Sequence, residues 1–336
     1  MKKSALYIAA IVLVLSLFVS CSPSAGRSSL YRVSGDGVLS WVNYDLISEN
    51  VEIPESVNGR KITAIGYEAF CGFSKLKSVT LPDSVTKLEP KAFARCRNLE
   101  SVKLPDSVTQ IGTNAFLDCE SLKTINVPSA LKTIGQRAFA DCRLLSSFDL
   151  PDELESLGTG AFYGCSELGS VKIPSTLKEI SAGAFCYCSD LTAVDIPSNV
   201  KTIGSTAFKN CTDLKKVTIE NGVEKIDDSA FYGCEELTAV TIASSVSTIG
   251  DNAFSYCKKL VSIVIPEGVK DIGEDAFWCC SELASITIPS TVTSIGNGAF
   301  RYCDKLTSVT IENTKGALGN PSDWGVDETK VTYNTK

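Results

Sequence analysis

The chain of 336 residues has no histidine, a single methionine at Met1 and three tryptophans. Without imidazole there is no Ser-His nucleophile pair, no zinc site that uses histidine and no switch set by histidine protonation. One methionine excludes the Met-rich groove of an adaptable binder. Basic charge is also short: 32 Lys and Arg stand against 39 Asp and Glu, a formal net charge of −7. That balance argues against nucleic acid and anionic membrane surfaces as partners, because both reward a basic patch. What the chain has is apolar material, at 44%. This is enough for a large core and excludes disorder throughout.

Lys2 and Lys3 precede a nearly unbroken apolar run from Ala5 to Val19. The run falls short of the roughly 20 residues of a membrane span but suits the core of a secretory signal. An ordinary cleaved signal or an uncleaved anchor would also use such a run. The stretch Leu17-Phe18-Val19-Ser20-Cys21 resembles the lipobox of bacterial lipoproteins, with Phe18 at the place usually held by leucine. The resemblance implies a signal peptide over 1–20, lipid attachment at Cys21 and a flexible tether over 21–29, rich in small polar residues. It implies export and membrane anchoring, on the outer membrane or cell surface.

The rest is dominated by one repeated phrase. Ala-Phe recurs with its phenylalanine at Phe70, Phe93, Phe116, Phe139, Phe162, Phe185, Phe208, Phe231, Phe254, Phe277 and Phe300, always 23 residues apart. The unit reads AF-x-x-C-x-x-L-x-x-V-x-I-P, then V-x-x-I-G. The alternation in Leu76-Lys77-Ser78-Val79-Thr80-Leu81-Pro82 predicts a strand with Val79 and Leu81 inward, ended by Pro82. V-x-x-I predicts a second short extended piece. Glycine four residues before the phenylalanine, as at Gly112, Gly135 and Gly158, is expected to serve a turn of positive φ. Ala-Phe-x-x-Cys is expected to form a single helical turn with Phe and Cys on one inward face. One such unit buries too little to offset the ordering of its backbone, so neighbouring copies must share their apolar faces in a stacked solenoid.

These motifs resemble the BspA-like leucine-rich-repeat family, bacterial surface lipoproteins with 23-residue units. The resemblance covers about residues 51–312. It implies a mainly β, right-handed leucine-rich-repeat superhelix with a parallel sheet on the concave side, short return strands and single helical turns. It also implies a non-enzymatic role in adhesion to host matrix proteins or other cells. The expected organisation is an N-terminal cap over 30–60, with a hairpin around Gly35-Asp36-Gly37, a solenoid of eleven units over 61–312, and a C-terminal cap over 313–336 carrying Trp324.

Ten of the 14 cysteines occupy the same inward slot, Cys96 to Cys303. Parallel side chains in a column do not converge as a disulfide requires, so these are expected to be free thiols packed as small buried hydrophobes. Cys186 and Cys279 lie off the column and are expected to be exposed. No arrangement of cysteines suits a metal, and no cofactor is expected.

Two surfaces could contact a partner. The strand positions Ser78, Ser101, Thr124, Ser147 and Ser170, beside Thr80, Lys103, Asn126, Asp149, Lys172 and Asp195, predict a shallow hydroxyl-lined trough rather than a pocket for a small-molecule substrate. The outward positions before the column cysteine carry Tyr163, Tyr187, Tyr232, Tyr256, Trp278 and Tyr302, interrupted only at Lys209-Asn210. Tyrosine and tryptophan offer large contact area at low entropic cost, so this stripe is a candidate site for a protein partner from host matrix or cell surface. The chain is expected to be monomeric. Two alternatives are an envelope spacer without a specific ligand and a hydrolase built on Asp227-Asp228 and Glu235-Glu236.

Overall fold

The computed structural model describes residues 30–334; the expected signal peptide over 1–20, the expected lipid attachment at Cys21 and the expected tether lie outside the described residues. Within it the 23-residue period becomes a parallel β solenoid in which each rung stacks on the last. One line of strands runs through Ser78–Thr80, Ser101–Lys103 and Thr124–Ile125, with Val79 opposite Val102 and Val102 opposite Ile125. A return line runs through Lys87–Leu88, Gln110–Ile111 and Thr133–Ile134 in the same register. Alternation decides the faces. Val79 and Leu81 are 2% and 4% exposed while Ser78 and Thr80 face outward, so the strands bury one edge against the shared core.

The eleven repeat phenylalanines form that core's spine. All are 0–1% exposed, and consecutive rings lie 4.9–5.6 Å apart with planes within 16°. Near-parallel rings at such separations are offset rather than superposed, the favourable arrangement for aromatic quadrupoles. Each ring is covered by the rings above and below, so a rung has no complete core of its own.

The segment around each phenylalanine is not the helical turn expected from its spacing. Residues two before and two after the ring adopt left-handed φ in every rung, for example Lys91 (59°) and Arg95 (60°), and Thr206 (56°) and Asn210 (58°). This alternation turns every second N–H toward the next rung. Glu68, Phe70 and Gly72 donate to the carbonyls of Pro90, Ala92 and Ala94 at 3.2, 2.8 and 2.8 Å. The intervening Ala69, Cys71 and Phe73 donate back three residues within their own rung. A third hydrogen-bonded ladder results, and it satisfies backbone groups that a lone helical turn would leave open.

The glycine that stands four residues before most of the rings does not have positive φ either; that conformation falls on the positions two residues to either side of the ring. Its reason is close approach. A Cβ on Gly135 would lie 2.5 Å from Thr113 N and 2.6 Å from Gly112 C, in the backbone of the preceding rung.

The column cysteines are buried free thiols, and each makes a contact absent from the hydrophobe reading. Cys96 Sγ donates to the Phe70 carbonyl at 2.9 Å, Cys119 to Phe93 at 3.1 Å, and so on to Cys303 on Phe277 at 3.3 Å. The thiol thus ties each rung to the one before. Burial pushes these thiols well above their ordinary range, Cys96 and Cys303 to about 12. Cys186, expected at the surface, is only 4% exposed; burial raises it to about 11. Cys279 is half-buried.

At the N-terminal end Tyr31–Val33 and Val38–Val42 form an antiparallel hairpin whose second strand pairs in parallel with Ala64–Ile65 and starts the return line. Asn50–Glu52 joins the other line, Val51 opposite Val79. That register is 79 − 51 = 28 residues, five more than the period, and the excess is taken up by a small hairpin, Ser56–Val57 with Arg60–Lys61. At the C-terminal end a 3-10 turn, Pro321–Trp324, lays Trp324 over the last rung. The carbonyls of Asp323 and Trp324 accept from Gly298 and Phe300, both at 2.8 Å, and Val331–Tyr333 pairs with Ser308–Ile311. Gly325 is required there, since a Cβ would lie 2.6 Å from the Arg301 Cα.

The strand line is interrupted. It stops at Thr124–Ile125 and resumes at Ala193–Ile196, and the return line parts between Ser156–Leu157 and Glu179–Ile180. The cause lies in the first of the two rungs between. The slot that holds valine or isoleucine elsewhere holds Phe148, whose ring wedges 4.9 Å from both Phe139 and Phe162. Asn126 responds by pairing its carboxamide with the Leu104 N–H and carbonyl, both at 2.7 Å, in place of a strand contact. A second interruption at 262–265 keeps only the Ser262–Ser285 bridge, and no side chain there accounts for it.

Candidate binding face

The aromatic stripe is produced by the turn ladder. Tyr163, Tyr232 and Trp278 directly follow the buried phenylalanine, whereas Tyr187, Tyr256 and Tyr302 sit one residue later, at left-handed φ of 60–62°. Alternating these two positions from rung to rung sets neighbouring rings edge to face instead of parallel. Tyr163 meets Tyr187 at 5.4 Å and 67°. Tyr232, Tyr256, Trp278 and Tyr302 follow as a run at 5.2, 4.6 and 5.4 Å. The structure therefore joins the six residues into a pair and a quartet. Between them Lys209 places its ammonium 4.6 Å over Tyr232, and Arg137 sits 5.3 Å over Tyr163. Each cluster thus begins with a cation on an aromatic face, a contact favourable at partly desolvated sites. Sequence spacing identified the rings but not these cations.

Tyr187 and Tyr302 are 43% and 58% exposed and the other four are half-buried. A hollow of about 440 Å³ lies beside Tyr163 and Tyr187, lined by Asp141, Arg143, Ser189 and Asn210 among others. Burial raises the phenols of Tyr163 and Tyr232 and the carboxyl of Asp141, the last also pushed by Asp118. The phenols are therefore neutral hydrogen-bond donors at physiological pH. Rigid rings, hydroxyls and cations along one edge suit contact with another protein.

The strand face carries the larger hollow, about 820 Å³, beside the interrupted rungs. The carboxylates of the hydrolase alternative do not converge. Glu235 and Glu236 pair with Lys258 and Lys259 at 2.8 and 2.7 Å, and Asp227 pairs with Lys225. Asp228 accepts the Asp251 N–H at 3.0 Å. The two glutamate pairs are cross-rung surface pairs of the kind that recurs along the solenoid, as in Lys91 with Glu68, and the Asp227 pair lies within one rung. Among the described residues no cluster of His, Cys, Asp and Glu could hold a metal, and no helix is long and apolar enough to cross a membrane.

Comparison with known proteins gives a consistent family. A leucine-rich-repeat protein of T. pallidum is 29% identical, over 62% of this chain and 86% of its own, with a TM-score of 0.49. One from Bacteroides ovatus is 28% identical over 91% and 98%, with a TM-score of 0.44. The pneumococcal vaccine antigen PcpA is 21% identical over 90% and 89%; its TM-score of 0.54 marks a shared fold. None of the curated proteins matches the sequence. The BspA type leucine-rich-repeat region matches residues 44–148, 132–261 and 224–320, in six copies. With the period, the parallel register and this match in agreement, the chain belongs to the BspA-type leucine-rich-repeat family.

Proposed function

We propose that the protein is a non-enzymatic binding protein displayed at the cell surface, held to a membrane by lipid at Cys21. Its ligand is a protein of host matrix or another cell, and it engages the stripe Tyr163, Tyr187, Tyr232, Tyr256, Trp278 and Tyr302. The observation that carries this reading is the continuous edge-to-face packing of Tyr232, Tyr256, Trp278 and Tyr302 on an outer edge. Rings held by one another lose little freedom on binding, which is what makes aromatic side chains effective anchors. The sequence at Leu17–Cys21 supports the lipid anchor.

The test is surface plasmon resonance of the purified protein against a panel of matrix proteins, repeated with Tyr232, Tyr256 and Trp278 changed together to serine. Loss of at least tenfold in affinity with an unchanged circular dichroism spectrum is expected. Binding that survives the triple change removes the stripe as the contact face. Protease treatment of intact cells and metabolic labelling with palmitate test display and anchoring; a protected or unlabelled chain overturns them.

A further inference from the structure

The wedge at Phe148 leaves the strand face with unmatched backbone. The N–H groups of Phe148, Asp149, Leu150, Val171, Lys172 and Ile173 have no hydrogen-bond partner in the structure, whereas strands beyond the gap are laddered, as at Ala193–Ile196 with Lys216–Ile219. Two consecutive rungs therefore present rows of donors and acceptors like the edge of a sheet. These rows border the hollow of about 820 Å³, which reaches from Ile125 across Phe148 and Asp149 to Lys172. A second hollow of about 260 Å³ continues it between Val171 and Val194. Charge at the site is mainly negative. Asp149, Asp152 and Glu153 line the larger hollow against Lys172 alone, a balance of −3 + 1 = −2, and Lys172 is already paired with Asp152 at 2.9 Å.

We propose that this interrupted strand face takes an extended, lysine-bearing segment of a partner polypeptide, which adds to the open rungs as a strand. Backbone hydrogen bonds to residues 147–150 and 170–173 hold the segment, and its lysines face Asp149, Asp152 and Glu153. Phe148, the one aromatic in a slot of valines and isoleucines, is the wedge at this gap. This surface is separate from the aromatic stripe and does not rest on it.

The probe is an acetylated octapeptide of alternating lysine and threonine, with two comparators: the same peptide N-methylated at alternate residues, and its glutamate counterpart. Hydrogen exchange read by mass spectrometry on the full chain should show fast amides over 147–150 and 170–173, slowed by the lysine peptide. N-methylation should weaken binding by about tenfold or more, because it removes the donors of one edge. The glutamate peptide should bind more weakly still, and Phe148→Val should abolish binding while the protein stays folded. Should Phe148→Val unfold, the N-methylated comparator carries the test alone. Equal binding of the methylated peptide, protection elsewhere, or no binding at millimolar peptide overturns the proposal. So does a dimer of this chain that protects the same amides, which puts a second copy in the cleft.

Discussion

Raising the pH should unfold the solenoid abruptly, and the cause is the thiol column. Ten cysteines from Cys96 to Cys303 sit in one buried file, each donating to a phenylalanine carbonyl of the preceding rung. Their ordinary value is 9.0; burial holds them above it, to about 12 at the two ends of the file. Because the folded-state value is raised, the unfolded chain loses its thiol protons first as pH climbs past 9, so stability falls with pH throughout that window. Each thiol removes about 0.4 kcal/mol at pH 9 and about 1.4 kcal/mol at pH 10. Ten act together, removing about 4 and about 14 kcal/mol, against a typical domain stability of about 5–15 kcal/mol. Secondary structure followed by circular dichroism from pH 8 to 11, with a phosphine reductant to prevent disulfides, should collapse between about pH 9 and 10.5 with release of several protons. Changing Cys165, Cys188, Cys211 and Cys234 to alanine should make the transition shallower. A fold intact at pH 11, or one titrating with a single proton, refutes the reasoning.

Other consequences are smaller in scale. Phe208 lies 5.4 Å from both Phe185 and Phe231 and is fully buried, so Phe208→Ala should cost about 3–5 kcal/mol in urea melts. Exchange protection should fall mainly in the rungs on either side, because each rung contacts only its neighbours. Thr206 is a β-branched residue held at φ 56°, so Thr206→Gly should raise stability by about 0.5–1 kcal/mol although it removes atoms. A decrease would mean that the left-handed positions are not strained.

The period, the inward positions and the family were legible because they depend on side-chain type at fixed spacing. Val79 and Leu81 alternate, Phe93 recurs, and Pro82 ends a strand, each a local signal. The turn around the phenylalanine left only part of its signal in the sequence. Asn114, Asp118, Gly160 and Asn210 are types that favour left-handed backbone, whereas Lys91 and Arg95 are not, and the alternation has a use only when a second rung supplies carbonyls. For the same reason Gly135 suggested positive φ, whereas its task is to let the preceding backbone approach. Cys186 looked exposed from its place off the column, but the turn directs it inward. The aromatic residues were visible as a stripe; their edge-to-face packing and the cations Arg137 and Lys209 required coordinates. Phe148 stood in plain sight as the one aromatic in a valine slot, and its effect on strand pairing could have been anticipated from volume alone.

Excision of a single period tests the stacking account most directly. Removing residues Phe208 to Ala230 joins Ala207 to Phe231 and restores the Ala-Phe phrase with every later rung in register. The shortened chain should keep its circular dichroism and its exchange-protected Phe N–H groups, and scattering should show it shorter by about one rung, about 5 Å. Removing only Phe208 to Ile219, about half a rung, should disrupt the array, since the stacked rings and strand partners then fall out of step. If both deletions leave the same stability, or if removal of the full period unfolds the protein, the rungs are not interchangeable layers sharing one core.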